Sequence, residues 1–178
     1  DKVGYETWVA LLREAVAESR GDLDREQIEP EIEVPVPAFI PDVLVKDPQR
    51  RLGWYRRLSQ SHSPAEVDRT LDELEIEVGE LPPETRNLGE LISARLLCRD
   101  LGIVQCRWLR IRVELTLHPS SPLTRARLER IASKHPKRLK VEGADDNLCV
   151  SARFTPREAE HPFRYLRWVL ARLRREDS

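Results

Sequence analysis

The chain has 178 residues and carries 30 Lys and Arg against 31 Asp and Glu. That length suits one domain, or one with an extension, and suffices to bury a real core. The near-cancelled charge does not by itself announce a nucleic-acid or membrane partner; no apolar run approaches the ~20 residues needed to span a bilayer, and no signal peptide is visible.

Tyr5 to Ser19 reads as a first helix, with Tyr5, Trp8, Val9, Leu12, Ala15 and Val16 at helical spacing and Gly21 ending it. Residues 20–33 hold six acids against Arg20 and Arg25 and nothing apolar at regular spacing, which predicts an exposed, mobile linker. Ile32 to Val36 alternates like an edge strand, but Pro35, Pro37 and Pro41 cannot donate to a ladder and exclude a central one. An extended surface segment with Phe39 and Ile40 tucked inward is the expectation. Asp47-Pro48 opens the next helix as cap and first helical residue, with Leu52, Tyr55 and Leu58 on one face. Ser63-Pro64-Ala65-Glu66 is a capping-box signal, followed by Val67, Leu71, Leu74 and Val78 at helical spacing.

The stretch from Leu81 to Ile103 predicts the central helix. Pro82 and Pro83 open it, where a proline loses no intrahelical bond, and Gly102 closes it. Leu88, Leu91, Ile92, Ala94, Leu96, Leu97, Cys98 and Leu101 cover more than a ~100° stripe, so burial on more than one side is expected. Arg95 and Arg99 interrupt that surface and are expected to carry their charges to water over apolar neighbours.

Beyond Gly102 the period becomes two. Leu109, Ile111, Val113, Leu115 and Leu117 alternate with polar residues as in a half-buried strand that Pro119 ends. Ser121-Pro122 is read as a helix start. Leu139 and Val141, then Leu148 to Phe154, form two strands joined by the turn-forming residues 143–147. Thr155-Pro156-Arg157-Glu158 is a further capping box, opening a last helix with Phe163, Leu166, Val169, Leu170 and Leu173 on one face. The expected class is α+β: a helical first half around a central buried helix, then a small, mainly antiparallel sheet with two helices. The whole, 1–178, is expected to be one domain, with an acidic linker and proline-rich extended segment over 20–46. The absence of any methionine, in a chain that begins Asp1-Lys2-Val3-Gly4, suggests a piece of a longer protein.

No phosphate-binding G-x-x-x-x-G-K-[ST] or G-x-G-x-x-G occurs. His62, His118, His135 and His161 lack metal-ligand spacing to one another or to a cysteine. Cys98, Cys106 and Cys149 are few, odd in number and far apart, so reduced, buried, cytosolic thiols are expected. Asp145-Asp146-Asn147 lacks calcium-loop spacing. The charge feature that remains is Arg125, Arg127, Arg130, Lys134, Lys137, Arg138 and Lys140 against Glu129 alone, a net +6. It could be a solvated face, a site for an acidic protein surface, or a phosphate-binding patch. No aromatic interleaves with it in sequence, which weakens a single-strand reading.

Taken together, these segments resemble a known family. Val3-Gly4-Tyr5-Glu6-Thr7-Trp8-Val9-Ala10-Leu11-Leu12, the extended stretch from Glu33 to Pro41, Arg51-Leu52-Gly53-Trp54-Tyr55-Arg56-Arg57-Leu58, and Gly79-Glu80-Leu81-Pro82-Pro83 leading to Leu101-Gly102-Ile103 are similar to the C-terminal domain of the bacterial transcription-repair coupling factors (Mfd, TRCF). The similarity spans most of the chain and is strongest over 33–103. Two places depart from it: Glu77-Val78-Gly79 stands where the family has R-F-G, and Val45-Lys46 stands near its Ile-Pro.

The resemblance implies a non-catalytic regulatory domain with no cofactor of its own, in a cytoplasmic ATP-dependent DNA translocase whose motor uses ATP and magnesium. It implies packing on the UvrB-like module of the same protein, masking that module's UvrA-binding surface. RNA polymerase and double-stranded DNA are implied as partners of the parent, and no membrane. The alternative is a nucleic-acid-binding accessory domain using the 121–140 patch. Candidate contact residues are Arg51, Arg56 and Arg57 on one helix and Arg125, Arg127, Arg130, Lys134, Lys137, Arg138 and Lys140 on the patch.

Overall fold

The structure, a computed structural model, describes residues 28–175. The helix expected over 5–19 and the first part of the acidic linker lie outside the described residues. Two compact units divide what is described: 38–89, and 28–37 together with 90–175.

In the first unit, α1 (Pro48–Ser59) starts where the sequence signals it: Asp47 Oδ1 accepts from Gln49 N at 2.8 Å and Pro48 occupies the first helical position. Trp54, Tyr55 and Leu58 form its buried face. The Tyr55 hydroxyl accepts from Ile40 N at 2.8 Å, which seats the incoming extended segment. Ile40 is buried as expected, but Phe39 is not: it stays 37% exposed while its carbonyl accepts from the buried Thr85 hydroxyl. The backbone hydrogen bond, not the aromatic ring, fixes residue 39.

Helix α2 (Pro64–Val78) has Ser63 as cap, accepting from Glu66 N at 3.3 Å. The return half of the box shifts by one residue, because the Glu66 carboxylate accepts from His62 N at 2.8 Å. Ion pairs Arg50–Glu77 and Arg57–Glu73 join α1 to α2.

Helix α3 (Pro83–Asp100) is the expected central helix, and it contributes residues to both units. Leu88, Leu91, Ala94, Leu96, Cys98 and Leu101 are all buried, on positions that surround more than one face of the helix. Gly102, at φ +67, ends it. Arg95 and Arg99 reach the surface as expected, and there both guanidinium groups bind the partly exposed Glu29 carboxylate, at 3.0 and 3.4 Å.

The second unit is built on a five-stranded sheet ordered β1-β2-β3-β5-β4, with β1 (Glu31–Glu33), β2 (Ile103–Trp108), β3 (Arg112–Leu117), β4 (Leu139–Glu142) and β5 (Cys149–Arg153). β1 lies parallel to β2 and the other pairings are antiparallel. Residues 31–33 are therefore a true edge strand rather than linker. The single strand expected from 109 is instead a hairpin: Leu109–Ile111 make the turn, closed by Leu109 N to Arg112 O at 2.8 Å. Helix α4 (Arg125–Lys134) begins three residues after the expected Pro122, with Thr124 as its cap. Ser121 makes a local turn instead, its oxygen accepting from Leu123 N at 3.1 Å while its hydroxyl donates to Leu101 O at 2.6 Å. The capping box at Thr155 is present, but it opens only the short α5 (Pro156–Ala159). His161-Pro162 then starts α6 (Pro162–Arg174).

Core residues alternate along the strands: Cys106, Val113, Leu115, Val150 and Ala152 join Ala94, Cys98 and Leu101 of α3, Leu128 and Ile131 of α4, and Leu166, Val169, Leu170 and Leu173 of α6. The opposite face of the sheet carries a row of paired positions, Glu33, Arg107, Glu114, Ser151 and Lys140, in which charges of opposite sign meet across the strands. The fold is α+β.

Candidate functional site

Buried polar chemistry is sparse. The Cys98 thiol is pushed up to about 12 by burial, and burial, then Cys98 and Glu33, push Cys106 well above the ordinary range. Neither is a thiolate at neutral pH, which a nucleophile requires. All three cysteines are free. Among the described residues no three His, Cys, Asp or Glu side chains converge as a metal site, and no helix is long and apolar enough to cross a membrane.

The structure disperses most of the charge in the 121–140 patch. Arg125 binds Asp145 at 2.5 Å and lies 3.6 Å from Glu129. Arg127 donates to the carbonyls of Leu173 and Arg174, at 3.1 and 3.4 Å, and so caps the end of α6. Arg138 binds Glu158 at 2.6 Å, and Lys140 binds Glu142 at 2.7 Å. Lys134 is exposed. Arg130 and Lys137 are exposed and make no ion pair among the described residues. A net +6 by sequence thus becomes a few separated cations. On α1, Arg51 is a structural group, donating to Val45 O at 2.9 Å. Arg57 is committed to Glu73 and lies 4.6 Å over the Trp54 ring. Arg56 is exposed.

The surface that residue-by-residue reading missed is on α2. Asp68, Asp72 and Ile76 follow one another at four-residue spacing, which stacks them on one helix face. All three are exposed, and Ile76 is 86% so. An isoleucine held almost fully in water beside carboxylates gains nothing from packing among the described residues. The signal was present in Asp68-x-x-x-Asp72-x-x-x-Ile76, but only the burial of Val67, Thr70 and Leu74 shows which face is left over.

The fold thus defines the class: an α+β module built on a five-stranded mixed sheet. A model of the TRCF domain matches residues 34–128, more than half of the chain. The chain belongs to that family. It is 42% identical over 102 residues to the transcription-repair-coupling factor of Myxococcus xanthus, a match covering 57% of this chain and 8% of that protein. It is 34% identical over 112 residues to that of Haemophilus influenzae, covering 59% and 10%, and 27% identical over 118 residues to that of Bacillus subtilis, covering 66% and 10%. The chain thus spans no more than about a tenth of the length of these curated relatives. Among solved structures, the C-terminal domain of transcription-repair coupling factor superposes with a TM-score of 0.69 at 12% identity, covering 84% of this chain and 94% of that one. At that identity the likeness is one of fold.

Proposed function

We propose that the chain is a non-catalytic regulatory domain of a transcription-coupled DNA repair translocase. It packs on the UvrB-like module of the same protein and masks that module's UvrA-binding surface until the motor engages. Family membership supports the parent's identity, and the small share of its relatives' length that it spans supports a module serving a larger machine. ATP and magnesium then belong to the motor, and RNA polymerase, double-stranded DNA and UvrA to other modules of that cytoplasmic protein.

The single observation that carries the lid reading is the exposed α2 face of Asp68, Asp72 and Ile76, an apolar knob rimmed by carboxylates. It suits a basic surface with a shallow apolar socket. Tethering supplies an effective concentration of about millimolar, so a weak contact suffices to keep the lid closed. Differential binding of a few kcal/mol by the engaged motor opens it. Arg56, Arg130 and Lys137 are the sequence-derived candidates that remain exposed and without an ion pair among the described residues.

The test is Ile76→Arg in the full-length parent. Because the side chain is in water, unfolding of the variant should match wild type. Its UvrA affinity should rise about fivefold or more, the equivalent of ~1 kcal/mol lost from the closed state. Unchanged UvrA affinity would exclude this face as the contact.

A further inference from the structure

Helix α6 holds Arg164, Arg167, Arg172 and Arg174 and no acid. Its apolar stripe is consumed by the core, so the arginines fall on its outer faces. Arg167 is neutralised by Glu90, whereas Arg164 and Arg174 are exposed.

Beside these cations runs a row of aromatic rings drawn from distant parts of the chain. Trp108 at the end of β2 stacks on Phe154 at 4.6 Å between centroids. Phe154 meets Tyr165 edge-on at 5.7 Å, and Tyr165 stacks on Trp168 at 5.8 Å. Tyr165 is buried and donates its hydroxyl to Arg153 O at 2.5 Å, but Trp108, Phe154 and Trp168 are only half-buried. At the outer end, Trp168 has Arg172 4.8 Å and Arg138 5.5 Å from its ring centre, with the His135 ring edge-on at 5.4 Å. The carboxylate facing this group, Glu158, is already bound by Arg138 and by the backbone N–H and hydroxyl of Thr155.

We propose that this surface of the second unit, centred on Trp168 and flanked by Arg172 and by Arg164 one turn before it, binds single-stranded nucleic acid. Bases stack on half-exposed rings and on guanidinium planes, and the outer arginines meet the phosphates. Core packing accounts for Tyr165 and for the inner parts of Trp108, Phe154 and Trp168, which pack against the same core while keeping part of their surface at the boundary with water. It does not account for two guanidinium groups gathered over the outermost ring. Partly exposed rings and the guanidinium groups over them suit unpaired bases, because a duplex keeps its base faces stacked inside. An acidic protein surface would use the arginines and ignore the rings.

The experiment is fluorescence anisotropy of the full chain with a labelled, mixed-sequence DNA single strand of about 15 nucleotides. Saturable binding is expected at about 50 mM salt, weakening about tenfold by about 200 mM as a few released counterions require. Trp168→Leu should weaken binding about tenfold, the loss of one base–aromatic stack. Because Trp168 also packs on Tyr165, the exposed Arg164→Glu, one turn from Trp168, gives an independent arm, and binding should fall about fivefold or more. Two results would overturn the proposal. One is no saturable binding at low salt. The other is binding to a duplex or to polyglutamate as tight as to the single strand, with Trp168→Leu indistinguishable from wild type.

Discussion

Replacing Gly102 by alanine should destabilise the chain by about 2–4 kcal/mol, although it adds one methyl group. Gly102 ends α3 at φ +67, where an L side chain pays about 1–2 kcal/mol for the left-handed conformation. A Cβ built there would also lie 2.7 Å from Ser121 Cα and 2.8 Å from Ser121 Cβ. The nearest atom is backbone, which no rotamer change can move. Ser121 is itself held by its hydroxyl on Leu101 O, and Gly102 O accepts from His118 N at 2.8 Å, so the two segments cannot separate without losing hydrogen bonds. Urea denaturation followed by circular dichroism should show the loss. Gly53 supplies the control. It lies inside α1, and nothing stands within 4 Å of the place an added methyl group would take, so Gly53→Ala should stabilise by roughly 0.5–1 kcal/mol. Equal and small effects at both glycines would refute the packing described for the α3 exit.

Leu115→Ala should cost about 2–5 kcal/mol, the range for emptying a leucine site in a core that can only partly collapse. Leu115 is fully buried on β3, the middle strand of the sheet, between Cys106 of β2 and Val150 of β5. Paired strands on both sides leave little freedom to close the gap. For a chain of this size each kcal/mol shifts the melting temperature by about 2–4 °C, so a fall of roughly 5–15 °C is expected. A shift of only a degree or two would mean that β3 does not occupy the centre of this core.

The sequence spoke clearly where the determinants are local. Asp47-Pro48 and Ser63 each cap a helix as read, and the Thr155 box forms as read although it caps only the short α5, because a side chain two or three residues from its partner needs no fold to make its bond. The burial of α3 on several sides followed from its apolar residues alone. Features set by distant partners were missed or caught only in part, as with the edge-strand alternation read at Ile32. Strand β1 is three residues long and pairs with residues over seventy positions away, so its Glu-Ile-Glu resembles linker. The turn at 109–111 contains no glycine, proline or asparagine, and its apolar alternation runs straight through the reversal. Two hydroxyls were available to start α4: Ser121 accepts from Leu123 N while donating to Leu101 O, twenty residues upstream, and Thr124 makes the cap by accepting from Arg127 N. Counting charge over 121–140 could not include Asp145, Glu158 and Glu142, which pair with Arg125, Arg138 and Lys140 from outside the segment. Likewise the rings around Trp168 come from residues 108, 154, 165 and 168 and meet the cations only in three dimensions.

Whether this domain restrains its parent is tested most directly by UvrA binding, comparing the full-length protein with a version that lacks residues 1–178. The lid reading predicts that deletion raises UvrA affinity at least about tenfold, corresponding to ~1.4 kcal/mol of masking removed, while ATPase activity is retained. UvrA affinity that stays the same after deletion would contradict it and leave the domain as a structural cap.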